Sequence, residues 1–251
     1  MLNESKRILV TGASKGIGRA IAIALAHAGY QVVCHYHRDL EGVKQTMAAI
    51  QAAADANQQP QQPAHCLQFD ISNRAETYAR LEEEVATRGA FWGVVLNAGI
   101  KKDSSFLAME AEDWSSVIET NLSSFYNLLS PLVRPMLQLK SGGRILCISS
   151  LSGSLGVGGQ VNYSASKGGL EAAARSLAME VAKRQVTVNC VCPGFVETDM
   201  LKDMNKDELA DQVPMKRIGK AEEVAELVKF LMSDAAAYIT KQSIRIDGGI
   251  S

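Results

Sequence analysis

The chain has 251 residues, 47% of them hydrophobic, and a formal net charge of −1. That is enough apolar material for a sizeable core, and it argues against disorder and against a global electrostatic pull toward nucleic acid or an acidic membrane. No stretch approaches the roughly 18 consecutive apolar residues of a membrane span, and the opening MLNESKRILVTGAS has no long apolar segment of the secretory type, so a soluble cytoplasmic protein is expected.

In chain order, strands are expected at Arg7–Val10, Val32–His35, His65–Phe69, Gly93–Leu96, Arg144–Ile148, Thr187–Val191 and Ser243–Ile246. All are short, apolar and bounded by turn residues, as buried parallel strands are. Between them, apolar residues recur at helical spacing over Gly18–Ala28, Leu40–Ala54, Arg74–Thr87, Trp114–Gln138, Tyr163–Ala182 and Ala221–Met232. Strand–helix alternation predicts an α/β chain with a Rossmann-type doubly wound fold: a seven-stranded parallel sheet with helices on both faces. There is no internal repeat and no dividing linker, so residues 1–251 read as a single domain. The one low-complexity stretch, Gln51–Pro63, suits a solvated helix end and loop. The five cysteines sit in or beside strands without a C-x-x-C pair, and no two histidines are metal-spaced on a predicted helix. Small apolar core cysteines and no metal site are expected.

The first strand runs directly into Thr11-Gly12-Ala13-Ser14-Lys15-Gly16-Ile17-Gly18, and a helix follows. In that setting, glycines let the backbone approach a pyrophosphate closely, and the unpaired amides of the helix start face the anion. The spacing is G-x-x-x-G-x-G, without the G-K-[ST] ending of an ATP-binding loop. Further along, Tyr163-Ser164-Ala165-Ser166-Lys167 opens a helix. Residues four apart share a face, so phenol and ammonium can act on one space, and an ammonium beside a phenol is expected to lower the phenol pKa from its ordinary value near 10. Ser149 and Ser150 end the fifth strand, on the side where such sheets bind ligands; either is a candidate to hydrogen-bond a substrate oxygen.

Taken in order, these segments resemble the short-chain dehydrogenases/reductases, and the resemblance covers almost the whole chain. It rests on the T-G-x-x-x-G-x-G turn, Asp70-Ile71 after the third strand, Asn97-Ala98-Gly99 after the fourth (with Leu96 where the family has a further Asn), Asn121, the serine 13 residues before Tyr163, the Tyr163/Lys167 pair, and Pro193-Gly194-Phe195-Val196-Glu197-Thr198 after the sixth. It implies catalytic roles for Asn121, Ser150, Tyr163 and Lys167. Ser150 would steady the carbonyl oxygen, Tyr163 would donate the proton, Lys167 would lower the phenol pKa and bind the nicotinamide ribose, and Asn121 would hold a proton-relay water. It further implies a dinucleotide held by Gly12, Ser14, Lys15, Gly16, Ile17, Gly18, His37, Arg38, Asp70, Ile71, Asn97, Ala98, Gly99, Pro193, Gly194, Val196 and Thr198, as well as by Tyr163 and Lys167. A substrate lid is expected over about Met200–Pro214.

Alignment by spacing puts Tyr36 where NAD-selective members carry Asp, with Arg38 close behind and Lys15 as a second cation. NADP is therefore expected, the alternative being that Arg38 merely pairs with Asp39 or Glu41. The likeness is greatest to 3-oxoacyl-[acyl-carrier-protein] reductases, which implies a β-ketoacyl thioester substrate, an acyl carrier protein partner docking near Lys140 and Arg184, and a homotetramer. Lys241 and the Gln51–Pro63 insertion depart from that pattern and suit a specialised acyl pathway. The competing readings are a reductase of small diffusible ketones or sugars, a non-catalytic NADP-binding scaffold, and a Ser–Lys hydrolase using Ser164 and Lys167, for which the partner motifs are missing.

Overall fold

The computed structural model describes residues 6–56, 65–202 and 204–251. In chain order the elements are β1 Arg7–Val10, α1 Gly16–His27, β2 Gln31–Tyr36, α2 Leu40–Ala56, β3 His65–Gln68, α3 Arg74–Arg88, β4 Gly93–Leu96, α4 Ala111–Ile118, α5 Ser124–Gln138, β5 Gly143–Ile148, α6 Ser152–Leu155, α7 Val161–Val181, β6 Val186–Pro193, α8 Lys206–Gln212, α9 Ala221–Met232 and β7 Ser243–Ile246. The strands form one all-parallel sheet in the order β3-β2-β1-β4-β5-β6-β7. The order reverses between β1 and β4, which leaves a crevice beyond their carboxyl ends.

Alternating residues of each strand feed two cores, one on each face of the sheet. Ile8, Val10, Val32 and Cys34 pack with Ile21 and Leu25 of α1 and with Val228 and Leu231 of α9. Leu9, Val33, Val94 and Ile145 pack with Leu81 of α3, Leu128 and Leu132 of α5, and Leu170 and Ala174 of α7. A sheet buried on both faces explains why the strands read as nearly continuous apolar runs.

One expectation is corrected and two are filled in. The single helix expected over Trp114–Gln138 is two helices, α4 and α5, joined by a π-helical turn over Glu119–Ser123. The stretch expected to be the substrate lid contains part of a 3-10 turn at Asp199–Leu201 and the helix α8, which is capped by the Asn205 side chain accepting from the amides of Asp207 and Glu208. Of Gln51–Pro63, residues 51–56 belong to α2 and the remainder lies outside the described residues. Among the described residues no helix is long and apolar enough to cross a membrane, and no three His, Cys, Asp or Glu side chains cluster as metal ligands.

Candidate active site

The glycine turn between β1 and α1 lies at the switch point and is tied down from both sides. On the β4 side, the Thr11 hydroxyl accepts from the amides of Asn97 (2.9 Å) and Ala98 (3.0 Å), while Asn97 Nδ2 donates to the Thr11 carbonyl at 2.9 Å. On the β2 side, the Ala13 amide donates to the His35 carbonyl at 2.9 Å. Gly12 has φ 65°, in the left-handed region that disfavours a side chain, and a Cβ on Gly18 would stand 2.1 Å from the Gly12 carbonyl oxygen. The turn therefore packs backbone against backbone and leaves the start of α1 open. That helix start carries no side-chain cap and no acidic residue in its first turn, so its free amides and positive dipole end suit a pyrophosphate. The donor set fits a dinucleotide, with Gly12, Ser14, Lys15, Gly16, Ile17 and Gly18 all on this turn.

The far wall is built at the ends of β2 and β3. Asp70 accepts from the Ser72 amide (2.9 Å) and hydroxyl (2.7 Å) and lies 3.8 Å from His37. Burial pushes its carboxyl up, but the Ser72 bonds and the nearby His37 and Arg38 outweigh this and leave it below the usual range. Ile71 beside it is buried. Arg38 is exposed and makes no ion pair among the described residues; Asp39 instead accepts from the Gly42 amide at 2.9 Å. Lys15 is arranged differently from expectation, because its ammonium is 2.9 Å from the Asp199 carboxylate across the cleft. That contact draws the cation toward the segment after β6.

Ser150, Tyr163, Lys167 and Asn121 converge beyond the end of β5. Ser150 lies beside the Tyr163 phenol and acts to lower its pKa. Ser149, the competing serine, is buried with its hydroxyl on the Glu171 carboxylate at 2.8 Å. Lys167 is only 4% exposed; its ammonium donates to the Ile148 carbonyl at 2.9 Å and stands 5.6 Å from the centroid of the Tyr163 ring. Burial pulls its pKa down to about 8, opposed weakly by the thiols of Cys147, Cys190 and Cys192. The expectation that Lys167 lowers the phenol pKa is corrected by this geometry. Burial raises the phenol, Asp103 adds to the rise, and the opposing influence is Ser150.

Asn121 sits in the π turn, 3% exposed, and clamps the backbone of Ile100. Its Oδ1 accepts from the Ile100 amide at 2.9 Å, and its Nδ2 donates to the Ile100 carbonyl at 2.9 Å and to the Ser166 hydroxyl at 3.1 Å. Its side chain is thus fully engaged with protein and fixes the Asn97–Gly99 segment against α7. A Cβ on Gly99 would lie 3.1 Å from Asn121 Oδ1 and 3.5 Å from Lys167 Nζ.

The opposite lip is the segment after β6. The Pro193 carbonyl accepts from the Leu151 amide at 3.2 Å, and the Gly194 amide donates to Ile246 at 3.0 Å. Val196 is buried and bridges to Gly219, and the Thr198 side chain faces the glycine turn, where a Cβ on Gly16 would meet its methyl at 3.4 Å.

Residues that the sequence reading gave no role also belong here. Ser152 contacts Ser150 (3.4 Å between hydroxyl oxygens) and donates to Gln160 at 3.0 Å; Gln160 in turn donates to Asp103 at 3.0 Å. Asn162 is fully buried; it accepts from the Tyr163 amide at 2.7 Å and donates to the Lys102 carbonyl at 3.0 Å, which aims the start of α7. The only sequence signal for these was proximity to the Tyr163 motif. Lys140 and Arg184 are not brought to the site. Both are exposed, on neighbouring segments joined by the 3.2 Å bond from the Gly143 amide to the Gln185 carbonyl, before β5 and β6 and so at the amino ends of these strands, opposite the site.

Comparison with known proteins agrees with this geometry. Residues 12–251 match the family profile described as Enoyl-(Acyl carrier protein) reductase. The chain is 47% identical over 247 residues to the 3-oxoacyl-[acyl-carrier-protein] reductase FabG of Aggregatibacter actinomycetemcomitans, covering 98% of this chain and 99% of the relative. It is 42% identical over 253 residues to the protein of that name from Escherichia coli (strain K12), covering 98% of each. The corresponding protein of Staphylococcus aureus (strain MW2) is 37% identical over 252 residues, covering 99% of each. With the sheet order, the open helix start and likeness running nearly end to end, the chain belongs to the short-chain dehydrogenase/reductase family.

Proposed function

We propose that this chain is an NADPH-dependent oxidoreductase that reduces the keto group of a 3-oxoacyl thioester on acyl carrier protein to the 3-hydroxyacyl thioester. It would act as one domain per protomer in a cytoplasmic homotetramer. The observation that carries the reading is the placement of Ser150 beside the Tyr163 phenol, next to a buried ammonium and across from the glycine turn. The family description names an enoyl reductase and the relatives a 3-oxoacyl reductase. Enoyl reduction delivers its proton to carbon, whereas ketone reduction delivers it to an oxygen that carries developing negative charge. Two hydroxyl donors converging on one point suit the oxygen.

The reduced nicotinamide, when bound, supplies the hydride. Ser150 donates a hydrogen bond to the carbonyl oxygen and orients it. Tyr163, which burial keeps protonated, transfers its proton to that oxygen. Lys167, charged at neutral pH with a pKa of about 8, would bind the nicotinamide ribose. Asn121 and Asn162 hold the flanking segments so that these groups keep their spacing. Preference for the phosphorylated dinucleotide is supported by the exposed, unpaired Arg38 and by Tyr36 in place of an acidic residue. If the carrier docks at Lys140 and Arg184, the length of β5, about 20 Å for its six residues, separates it from the site of the same protomer.

The test is NADPH oxidation with acetoacetyl thioesters on carrier protein and on a small-molecule thiol, beside free ketones and enoyl thioesters. Turnover of the 3-oxoacyl thioesters with NADPH well above NADH is expected. Activity confined to free ketones or to enoyl thioesters would overturn the substrate, and equal use of NADH would overturn the phosphate assignment.

A further inference from the structure

We propose that His35 is a positioning residue of the dinucleotide site, its imidazole tying the Gly12 amide to the Phe69 carbonyl. The inference rests on the cofactor reading above. His35 lies on β2, 2% exposed, with its ring directly beneath the glycine turn. The Gly12 N–H donates to Nδ1 at 3.3 Å, so Nδ1 must present a lone pair. The proton then resides on Nε2, which donates to the Phe69 carbonyl at 3.0 Å. One tautomer satisfies both bonds, and the ring also packs against Phe69 at a centroid separation of 4.2 Å.

These two anchors are functionally distinct. Gly12 carries the left-handed turn that opens α1 to the phosphates, and Phe69 immediately precedes the Asp70-Ile71 wall. A single buried ring therefore ties the phosphate-binding part of the cleft to the adenine-facing part. Because Asn97 holds the same turn from β4 and the Ala13 amide still holds the His35 carbonyl on β2, loss of the imidazole removes only the tie from Gly12 to Phe69 while the fold persists. Burial, which pulls the imidazole pKa down to about 4, keeps the ring in the neutral state this bridge requires.

Two side chains separate the parts of the bridge. In His35→Asn, Oδ1 falls where Nδ1 stands and preserves the acceptor for Gly12. In His35→Gln, the amide falls near Nε2 and preserves only the contact to Phe69. His35→Leu removes both and leaves a buried donor unmet. NADPH affinity is measured by fluorescence titration, kcat at saturating NADPH by turnover, and protection of the Gly12 amide by hydrogen exchange in cofactor-free protein.

His35→Leu and His35→Gln are expected to weaken NADPH binding roughly tenfold with kcat within about twofold, while His35→Asn stays near wild type. Gly12 exchange is expected to quicken in Leu and Gln but not in Asn. Wild-type affinity in His35→Leu, or Asn as weak as Gln, would overturn the proposal. If the Leu variant does not fold, the Asn–Gln comparison decides it in the same way. A wild-type chain that binds no dinucleotide overturns the cofactor reading together with this proposal, whereas tight wild-type binding unaffected by His35→Leu overturns this proposal alone.

Discussion

Lys167 points its ammonium back at the Ile148 carbonyl, 2.9 Å away, rather than at the phenol one helical turn before it on α7. A buried ammonium held by one carbonyl is costly, and its pKa of about 8, down from an ordinary 10.5, reports that cost. Below about pH 8 both folded and unfolded chains hold this proton, so the cost is fully felt. Between about 8 and 10.5 the unfolded chain binds more protons, and this group makes stability rise with pH. Lys167→Met is expected to abolish reduction yet to stabilise the cofactor-free protein at pH 7 by about 1–3 kcal/mol, with that rise in stability removed. Urea melts of both proteins from pH 7 to 10 check it; a destabilised variant would contradict the account.

Tyr163→Phe keeps the ring and removes the proton. If the phenol is the acid, kcat falls about a hundredfold or more while the NADPH dissociation constant stays within about threefold. Ser150→Ala removes only an orienting hydrogen bond, so a smaller loss is expected. Stopped-flow turnover and cofactor titration on the two variants distinguish these roles. Equal losses would make the serine as indispensable as the tyrosine.

The fold was legible because its signals are local: apolar runs four to six residues long, a glycine turn between strand and helix, and a Tyr–Lys pair one helical turn apart. The π turn at Glu119–Ser123 was not, since every residue there tolerates an α-helix and one inserted residue barely disturbs a 3.6-residue period. Helix α8 announced itself through Asn205 and Glu208, but seven residues bury too little to stand out from a loop. The phenol environment was misread for a different reason. Sequence spacing brings Lys167 onto the same face as Tyr163, whereas the direction of the ammonium depends on Ile148, 19 residues away. The partners of Lys15 and His35 are likewise tertiary, and local spacing does not reveal them.

The Lys15–Asp199 pair spans the cleft between the phosphate turn and the lid segment, and the cation holds the Asp199 carboxyl below its usual range. If Lys15 serves the extra phosphate of NADP, it must exchange this partner on binding. Asp199→Asn frees the ammonium and is expected to tighten NADPH binding by roughly two- to fivefold without changing NADH, because exposed pairs are weak. The gain should vanish near 1 M salt, where screening is nearly complete. Parallel titrations with both dinucleotides at low and high salt read this out; equal tightening for both would place Asp199 near the shared pyrophosphate instead.

His35 predicts an acid limit on stability that is independent of catalysis. Its pKa of about 4 in the folded chain lies below the ordinary 6.5. Above pH 6.5 the ring is neutral in both states, and the stability it confers is fully present. As pH falls from 6.5 toward 4 the unfolded chain takes up the proton first, so stability declines by up to roughly 3 kcal/mol. His37 opposes protonation through its positive charge and Asp70 favours it, so the decline reflects their balance as well as burial. His35→Asn carries no titrating ring and is expected to flatten this part of the profile while keeping the Gly12 bond. Denaturant melts of both proteins at half-unit steps from pH 7 to 4 provide the comparison. Parallel profiles would mean that acid sensitivity arises elsewhere, in the buried Arg7–Glu84 pair for example, where Glu84 also meets His65 at 3.2 Å.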